Sequence, residues 1–333
     1  MRMIRMKTLG RTGLKVSQIS LGGLFVSKMG ADFQQARTAT LRALELGINY
    51  IDTAPGYADS EEVLGKIIKD VKTPLILSTK LGGRPEPFQP KDRDCLMRSV
   101  ETSLKLLHRD HLDMLMIHEP DRPRQYDWWN DFKNAEGPVW DLLCDLKKSG
   151  VIRHTGLGGT TAYGLAQLCR TGKFDVVLTA FNYSLLWREA EHEVLPAARK
   201  QKMGIIIGSP LQQGALAARY DEQIRKGAEW MSKPRREQFR ALYALLDEIK
   251  MPIHEAGLRF AISNPAVSCV LTGSRSVAEV EANVAAAAKG PLPKPILKKL
   301  DAIAAMVPFR PCEEPFSPPF RRVYKGPGNA WNG

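Results

Sequence analysis

The 333 residues contain no run of about 18 apolar residues, the length that would mark a membrane-spanning helix. The N-terminus, Met1-Arg2-Met3-Ile4-Arg5-Met6-Lys7, interrupts every apolar stretch with charge, so no secretion signal is expected and the default address is the cytoplasm. Cysteine is scarce. Cys95, Cys144, Cys169, Cys269 and Cys312 are odd in number and far apart, with no Cys-x-x-Cys pair, which argues against a disulfide framework or a zinc site and fits a reducing compartment. Also missing is a Gly-x-Gly-x-x-Gly turn after the first apolar strand, where an open doubly wound sheet would seat a dinucleotide pyrophosphate.

Positive charge is plentiful, with a formal net charge of +12, yet no Lys/Arg cluster forms a nucleic-acid face. Basic residues alternate with acids, as in Glu61, Glu62, Lys66 and Lys69, which reads as a solvated helix face. A basic excess of this scattered kind attracts anions in general, and a phosphorylated cofactor is one such anion. No nucleic-acid or membrane partner is expected, and the sequence leaves the oligomeric state open.

What is present is alternation. Short runs rich in β-branched residues fall at 18–22, 50–52, 75–79, 112–117, 155–157, 176–178, 204–207 and 269–271. Amphipathic patterns lie between them, at 36–46, 92–107, 137–148, 189–200, 235–250 and 277–288. Eight such units are the number that closes a parallel (β/α)8 TIM barrel, and a barrel of roughly 250 residues or more is routinely one domain. The division expected is a barrel over residues 1–305 and a proline-rich tail over 306–333 that folds across the mouth or hangs free.

Two connections, 119–137 and 211–234, are too long for simple βα loops, and long loops inside a compact domain are usually functional. The first carries Tyr126, Trp128, Trp129 and Phe132, aromatics suited either to lining a pocket above the mouth or to packing the loop itself.

Active sites of α/β barrels sit at the C-terminal ends of the strands, which makes polar residues just past apolar runs informative. Asp52, Lys80 and His118 each end such a run, and Tyr57 follows Asp52 closely enough to fold back over the same strand end. A phenol is a weak acid at neutral pH, but a neighbouring ammonium favours the phenolate. Lys80 is expected to lower the pKa of Tyr57 while Asp52 holds Lys80, and His118 is expected to donate a hydrogen bond to a carbonyl oxygen. Taken singly, each residue would more simply be a structural ion pair or core group; four at matching strand ends is the stronger pattern.

From about Met6 to about Ala305 the sequence resembles the aldo-keto reductase superfamily, in particular its bacterial members. Leu9-Gly10-Arg11-Thr12-Gly13-Leu14-Lys15-Val16-Ser17 is similar to their opening, and Asp52-Thr53-Ala54-Pro55-Gly56-Tyr57 is similar to the family's Asp-Thr-Ala-x-x-Tyr signature. The resemblance implies a catalytic tetrad of Asp52, Tyr57, Lys80 and His118, with Tyr57 as the general acid for reduction. It also implies a nicotinamide cofactor lying across the barrel mouth without a Rossmann fold.

The resemblance further implies a cofactor site made of Gly23, Asp52, Thr160, Asn182, Ser209, Pro210, Leu211, Gly273, Ser274, Arg275, Glu279 and Asn283. Ser274 and Arg275 would hold a 2′-phosphate and Asn283 would reach the adenine, which favours NADP(H), since a guanidinium engages phosphate through two hydrogen bonds. Glu279 stands where relatives carry glutamine or arginine and would tolerate a bare ribose, so NAD(H) is the alternative. The nicotinamide end departs from the family pattern. Gly158-Gly159-Thr160 replaces the usual Ser-Asn, Ala180 replaces a glutamine, and Gly208 precedes Ser209 where an aromatic ring often stands. Thr160 or Asn182 is expected to act as substitute donor to the carboxamide.

The function expected is NADP(H)-dependent reduction of an aldehyde or ketone. One alternative is dehydrogenation of a sugar or cyclic alcohol to its lactone with NAD, suggested by some similarity of Phe181-Asn182-Tyr183-Ser184 and Gly208-Ser209-Pro210-Leu211 to the sugar dehydrogenase branch. Another is a non-enzymatic barrel that senses cofactor. The partner expected is a small carbonyl or sugar-like substrate, with no metal.

Overall fold

The computed structural model describes residues 4–228 and 230–309. Ten strands appear in chain order: β1 Met6–Thr8, β2 Lys15–Ser17, β3 Ile19–Gly22, β4 Tyr50–Asp52, β5 Ile76–Leu81, β6 Leu112–His118, β7 Ile152–Gly159, β8 Val176–Ala180, β9 Gly204–Gly208 and β10 Cys269–Thr272. The last eight close a barrel in the order β10-β3-β4-β5-β6-β7-β8-β9, and every pairing around it is parallel. The expected (β/α)8 barrel is the fold observed.

The helices are α1 Phe33–Glu45, α2 Ser60–Ile68, α3 Arg93–Leu107, α4 Pro138–Lys148, α5 Ala162–Arg170, α6 Val194–Lys200, α7 Asp221–Lys226, α8 Lys233–Glu248, α9 Ile253–Ser263, α10 Val277–Ala288 and α11 Lys294–Ala304. Their starts follow from side-chain caps. Asp32 and Gln35 form a reciprocal capping box at α1, while Asp92, Ser232 and Ser276 accept backbone N–H groups at α3, α8 and α10. None of the helices among the described residues is long and apolar enough to cross a membrane.

Strand alternation splits the core in two. Inward residues Tyr50, Met114, Met116, Val176, Leu178, Ile206, Cys269 and Leu271 fill the barrel, joined by Leu9 and Val16. Outward residues such as Ile51, Leu77, Leu115, Ile117, Val177 and Ile207 pack with the helices. A strand buried on both faces needs the near-continuous apolar runs seen in the sequence.

The antiparallel pair β1–β2 stoppers the end of the barrel opposite the mouth. Leu9 reaches the interior core, Lys7 Nζ donates to the carbonyls of Pro265 and Val267 at 3.0 and 2.6 Å, and Arg11 Nε donates to Asp175 at 3.2 Å. Asp175 also meets Lys147 and Thr155. Burial pushes its carboxyl upward, but the hydrogen bonds from His154, Lys147 and Thr155 outweigh it and hold the group far below the usual range.

Several expectations change. Residues 211–234 are not one long loop, because Gln212–Gly214 forms a 3-10 turn and α7 follows. Glu61 is not on a solvated face: it is 2% exposed, accepts from Thr79 Oγ1 at 2.6 Å and pairs with Arg84, while Glu62 and Lys66 do face solvent and pair with each other. The segment 119–137 has no helix or strand, and its two tryptophans are core residues. Trp128 is 0% and Trp129 6% exposed. Residues 310–333 of the expected tail, with Cys312, lie outside the described residues.

Candidate active site

The barrel mouth has two unlike halves. On β4, β5 and β6 the last inward-facing residues are Asp52, Lys80 and His118. On β7, β8 and β9 they are Gly158, Ala180 and Gly208, and Ala180 pairs with Gly208 while Gly158 pairs with His118 across the ladders. A Cβ built on Gly158 would stand 3.3 Å from Lys80 Cε, and one on Gly208 would meet Leu178 at 3.0 Å and Ala180 at 3.1 Å. Gly158 is therefore packed against the charged half, and Gly208 against the apolar wall of β8.

Lys80 is the hub of the polar half. Its Nζ donates to Asp52 Oδ2 at 2.6 Å and to the Thr53 carbonyl at 2.9 Å, and lies 4.7 Å from the centroid of the Tyr57 ring. Asp52 accepts a second bond from Ser78 Oγ at 2.6 Å, and Ser78 in turn meets Tyr50 Oη at 2.9 Å. Lys80 and Asp52 are each only 2% exposed, so the pair is stable only because each charge compensates the other and the remaining polar atoms are engaged. Burial works against the ammonium, but Asp52 and Tyr57 outweigh it and raise the Lys80 pKa above its ordinary value.

Tyr57 and His118 face each other edge to face, with ring centroids 5.6 Å apart and planes at 82°. The four residues expected from the sequence thus come together. The electrostatics of Tyr57 differ from the expectation, however. Burial raises the phenol pKa, Lys80 pulls it down by charge and hydrogen bonding, Asp52 pushes it up again, and the net direction is upward. The carboxylate that anchors Lys80 also cancels part of its field at Tyr57.

His118 is held neutral. Burial and the Lys80 charge push its pKa down to about 3, and its Nδ1 is buried without a hydrogen-bond partner among the described residues. Trp128 Nε1 donates to the His118 carbonyl at 3.0 Å, and Trp129 Nε1 donates to that of Pro120 at 2.7 Å. The aromatic loop fixes the backbone that carries the imidazole. Tyr126 and Phe88 stack against Trp128 with centroids 5.4 and 5.5 Å away.

At the top of β7, two carboxylates from the β6–α4 loop were not foreseen. Asp121 Oδ2 accepts from Thr160 N, Thr161 N and Thr161 Oγ1 at 3.1, 2.5 and 2.6 Å. Glu119, at a left-handed φ of 50°, accepts from Thr160 Oγ1 at 2.6 Å. Burial and the neighbouring Asp121 push the Glu119 pKa up to about 7, against the pull of Thr160, Arg122 and Lys80. Asn182 Nδ2 donates to the Thr160 carbonyl at 2.8 Å. The Thr160 half of the expected substitute donor is corrected here, since the Thr160 hydroxyl hydrogen goes to Glu119; Asn182 Nδ2 gives one N–H to the Thr160 carbonyl and has a second N–H besides.

The other candidate cofactor residues fall on the same rim. Gly23 caps β3, and its carbonyl accepts from Ser60 Oγ at 2.7 Å; an added Cβ would meet Asp52 O and Ser60 Oγ at 2.9 Å, so packing alone requires glycine there. Ser209, Pro210 and Leu211 leave the top of β9, with Ser209 at a left-handed φ of 50°. Past β10, Gly273 stands so close to Phe25 that a Cβ would lie 2.2 Å from its ring. Asn283 Nδ2 donates to the buried Ser274 Oγ at 3.1 Å. Arg275 and Glu279 are tied together: Glu279 accepts from the Arg275 backbone N–H at 2.7 Å and from its guanidinium at 2.9 Å.

Among the described residues there is no group of three or more His, Cys, Asp or Glu side chains that could hold a metal ion.

Comparison with known proteins agrees with this geometry. The profile of the Aldo/keto reductase family matches residues 18–305. The pyridoxal 4-dehydrogenase of Microbacterium luteolum is 30% identical, the match spanning 84% of this chain and 91% of that protein. The L-galactose dehydrogenase of Arabidopsis thaliana is also 30% identical, over 86% of this chain and 89% of its own length. An aldo-keto reductase from Bacillus halodurans, solved in its holo form, superposes with a TM-score of 0.72 at 24% identity, covering 90% of this chain and 96% of that one. The eight-stranded parallel barrel and the family match across most of its length place the chain in the aldo/keto reductase family of oxidoreductases.

Proposed function

We propose that this protein interconverts a carbonyl and an alcohol with a nicotinamide cofactor, with Tyr57 giving the proton in reduction and taking it in oxidation. The observation that carries the reading is Lys80, whose ammonium grips Asp52 at 2.6 Å and stands 4.7 Å from the centre of the Tyr57 ring. When bound, the cofactor supplies or accepts the hydride.

The protein's own residues handle the proton and the oxygen. As Tyr57 releases its proton, the fixed charge of Lys80 stabilises the phenolate left behind, and this stabilisation needs no reorganisation because Asp52 and Ser78 already hold the assembly. Neutral His118 has one N–H to give, suited to orienting a substrate oxygen and stabilising negative charge on it. Gly158, Ala180 and Gly208 supply a floor on which a flat ring fits. Gln212, 0% exposed with both amide atoms unpartnered among the described residues, is a buried polar group suited to a ligand at the top of β9.

Ser274 and Arg275 would hold a 2′-phosphate, which supports NADP(H). A second reading, oxidation of a sugar-like hemiacetal to its lactone with NAD, has specific support. Glu279 holds the backbone N–H of Arg275 and one nitrogen of its guanidinium, and its charge would oppose a phosphate. The relatives named for pyridoxal and L-galactose are dehydrogenases of molecules whose aldehyde closes on an internal hydroxyl.

The test is to titrate NADPH and NADH separately by fluorescence and then assay reduction of 4-nitrobenzaldehyde and oxidation of free sugars. The leading reading expects tighter NADPH binding and aldehyde reduction. Preferential NADH binding with sugar oxidation would establish the second reading, and absence of binding by either cofactor would reject both.

A further inference from the structure

Below the mouth the barrel interior is largely apolar, with Met114, Met116, Val176 and Ile206 pointing inward, yet a polar thread runs down into it from the site. Asp52 and Ser78 are register partners on β4 and β5, with Lys80 one inward step above Ser78 and Tyr50 one inward step below Asp52. Ser78 Oγ donates to Asp52 Oδ1 at 2.6 Å and stands 2.9 Å from Tyr50 Oη, while Asp52 Oδ2 accepts from Lys80. Ser78 and Tyr50 are both 0% exposed.

The chemistry fixes where each hydrogen of the thread lies. As the partner of an ammonium, Asp52 only accepts, and the single hydroxyl hydrogen of Ser78 goes to it. The hydrogen between Ser78 and Tyr50 is therefore the one on Tyr50. Burial first, then the charge of Asp52, raises the Tyr50 pKa well above its ordinary value against the pull of Ser78, so this hydrogen stays in place. Phenylalanine would fill the same space, and burying a hydroxyl is costly unless it is engaged. What the hydroxyl adds is a second donor lined up behind the first, and hydrogen bonds in such a chain strengthen one another.

We propose that Tyr50 is a positioning residue that acts through Ser78 to hold the Asp52 carboxylate, and so tunes the proton affinity of Tyr57 from below the mouth. The proposal rests on the reading of Tyr57 as proton donor and acceptor given above. With Oδ1 held by Ser78, part of the Asp52 charge is offset on the side away from Lys80. Without the thread, Asp52 draws harder on Lys80 and repels negative charge at Tyr57 more strongly, and both changes keep the proton on the phenol. Tyr57 faces Lys80, Asp52, Glu119 and His118, whereas Tyr50 faces Asp52, Cys269 and Tyr57, so Asp52 is the charge that the two tyrosines share.

The experiment follows kcat/KM for oxidation of 4-nitrobenzyl alcohol between about pH 6 and about pH 10.5, where the rate should rise and level off as Tyr57 loses its proton. The oxidised cofactor, NADP or NAD, is used at saturation because its cationic ring favours the phenolate and brings that ionisation into range. Glu119 ionises near pH 7, so the upper inflection is the one to follow. Tyr50→Phe should move it up by about half a pH unit and Ser78→Ala by about one unit, the scale of one lost hydrogen bond. The double variant should match Ser78→Ala, because the thread is already cut. A Tyr50→Phe protein that is less stable or less active at every pH, with the inflection unmoved, has lost packing alone and overturns the proposal. A further shift from Tyr50→Phe in the Ser78→Ala background would also overturn it, since Tyr50 would then act without Ser78. If Ser78→Ala does not fold because it strands the Tyr50 hydroxyl, the Tyr50→Phe inflection decides alone. A wild-type profile with no upper inflection would reject Tyr57 as the titrating base and the reading above with it, a result distinct from an inflection that Tyr50→Phe fails to move.

Discussion

The polar half of the mouth, on β4 to β6, and the small half, on β7 to β9, solve different problems with the same backbone. Asp52, Lys80 and His118 are costly to bury, and each is stabilised by a partner from a neighbouring strand or loop: Ser78, Thr53 and Trp128. Gly158, Ala180 and Gly208 carry almost no side chain and are fixed by what crowds them, Lys80 and Leu178 in particular. The charged half holds its geometry by compensation, the small half by exclusion. Sequence changes are therefore expected to act on chemistry in the first and on shape in the second.

The sharpest test removes chemistry and leaves shape. Tyr57→Phe should lower kcat by about 10²–10⁴ with cofactor affinity unchanged, the usual range for loss of a general acid–base group, measured by steady-state kinetics beside a fluorescence titration. Undiminished turnover would mean that another group moves the proton.

Next in size is the buried pair. Lys80→Met should destabilise the fold by about 3–5 kcal/mol in urea unfolding because it strands Asp52, and the double variant with Asp52→Asn should recover most of that loss. Failure of the second change to compensate would show that Lys80 acts mainly by packing. On the small half, Gly158→Ala should cost about tenfold in kcat by displacing Lys80, whose Cε would be 3.3 Å from the new methyl. Gly22→Ala, with no neighbour nearer than 3.6 Å, is the matched control and should be nearly silent. Equal effects from the two would erase the distinction between the halves.

Trp128→Phe keeps the ring and deletes the N–H to the His118 carbonyl. It should cost about 1 kcal/mol of stability and lower kcat more than it raises KM, by releasing the backbone behind the imidazole.

The smallest effect is one of pH, and its sign differs between two adjacent residues. His118, depressed from 6.5 to about 3, contributes stability that is complete above 6.5 and is lost as pH falls toward 3. Glu119, raised from 4.5 to about 7, contributes stability that is complete below 4.5 and is lost as pH rises through 7. The Tm of Glu119→Gln relative to wild type should therefore move in the variant's favour between about pH 5 and about pH 8. A constant difference would remove Glu119 as the titrating group.

The barrel and the four mouth residues were legible because their signals are local. Asp52, Lys80 and His118 each end an apolar run, and a strand end in a closed barrel has one place to be. The hairpin β1–β2 was not legible, since strands of three residues carry no readable alternation. The clasp of Glu119 and Asp121 on Thr160 and Thr161 joins residues about forty apart, and nothing in either segment announces the other. Trp128 was visible as an aromatic, but its hydrogen bond to the His118 carbonyl depends on a loop path that composition does not encode. The pull on Tyr57 was only half legible: the sequence shows the ammonium, whereas the opposing weight of burial and Asp52 exists only in the folded mouth.

The stopper at the far end also has a consequence for how the barrel is assembled. Leu9 is lodged in the interior, and Lys7 and Arg11 are tied to residues just ahead of β10 and β8. Those clasps join residues 258 and 164 positions apart, so they can close only once most of the chain between them has found its place, which makes the plug a late event in folding.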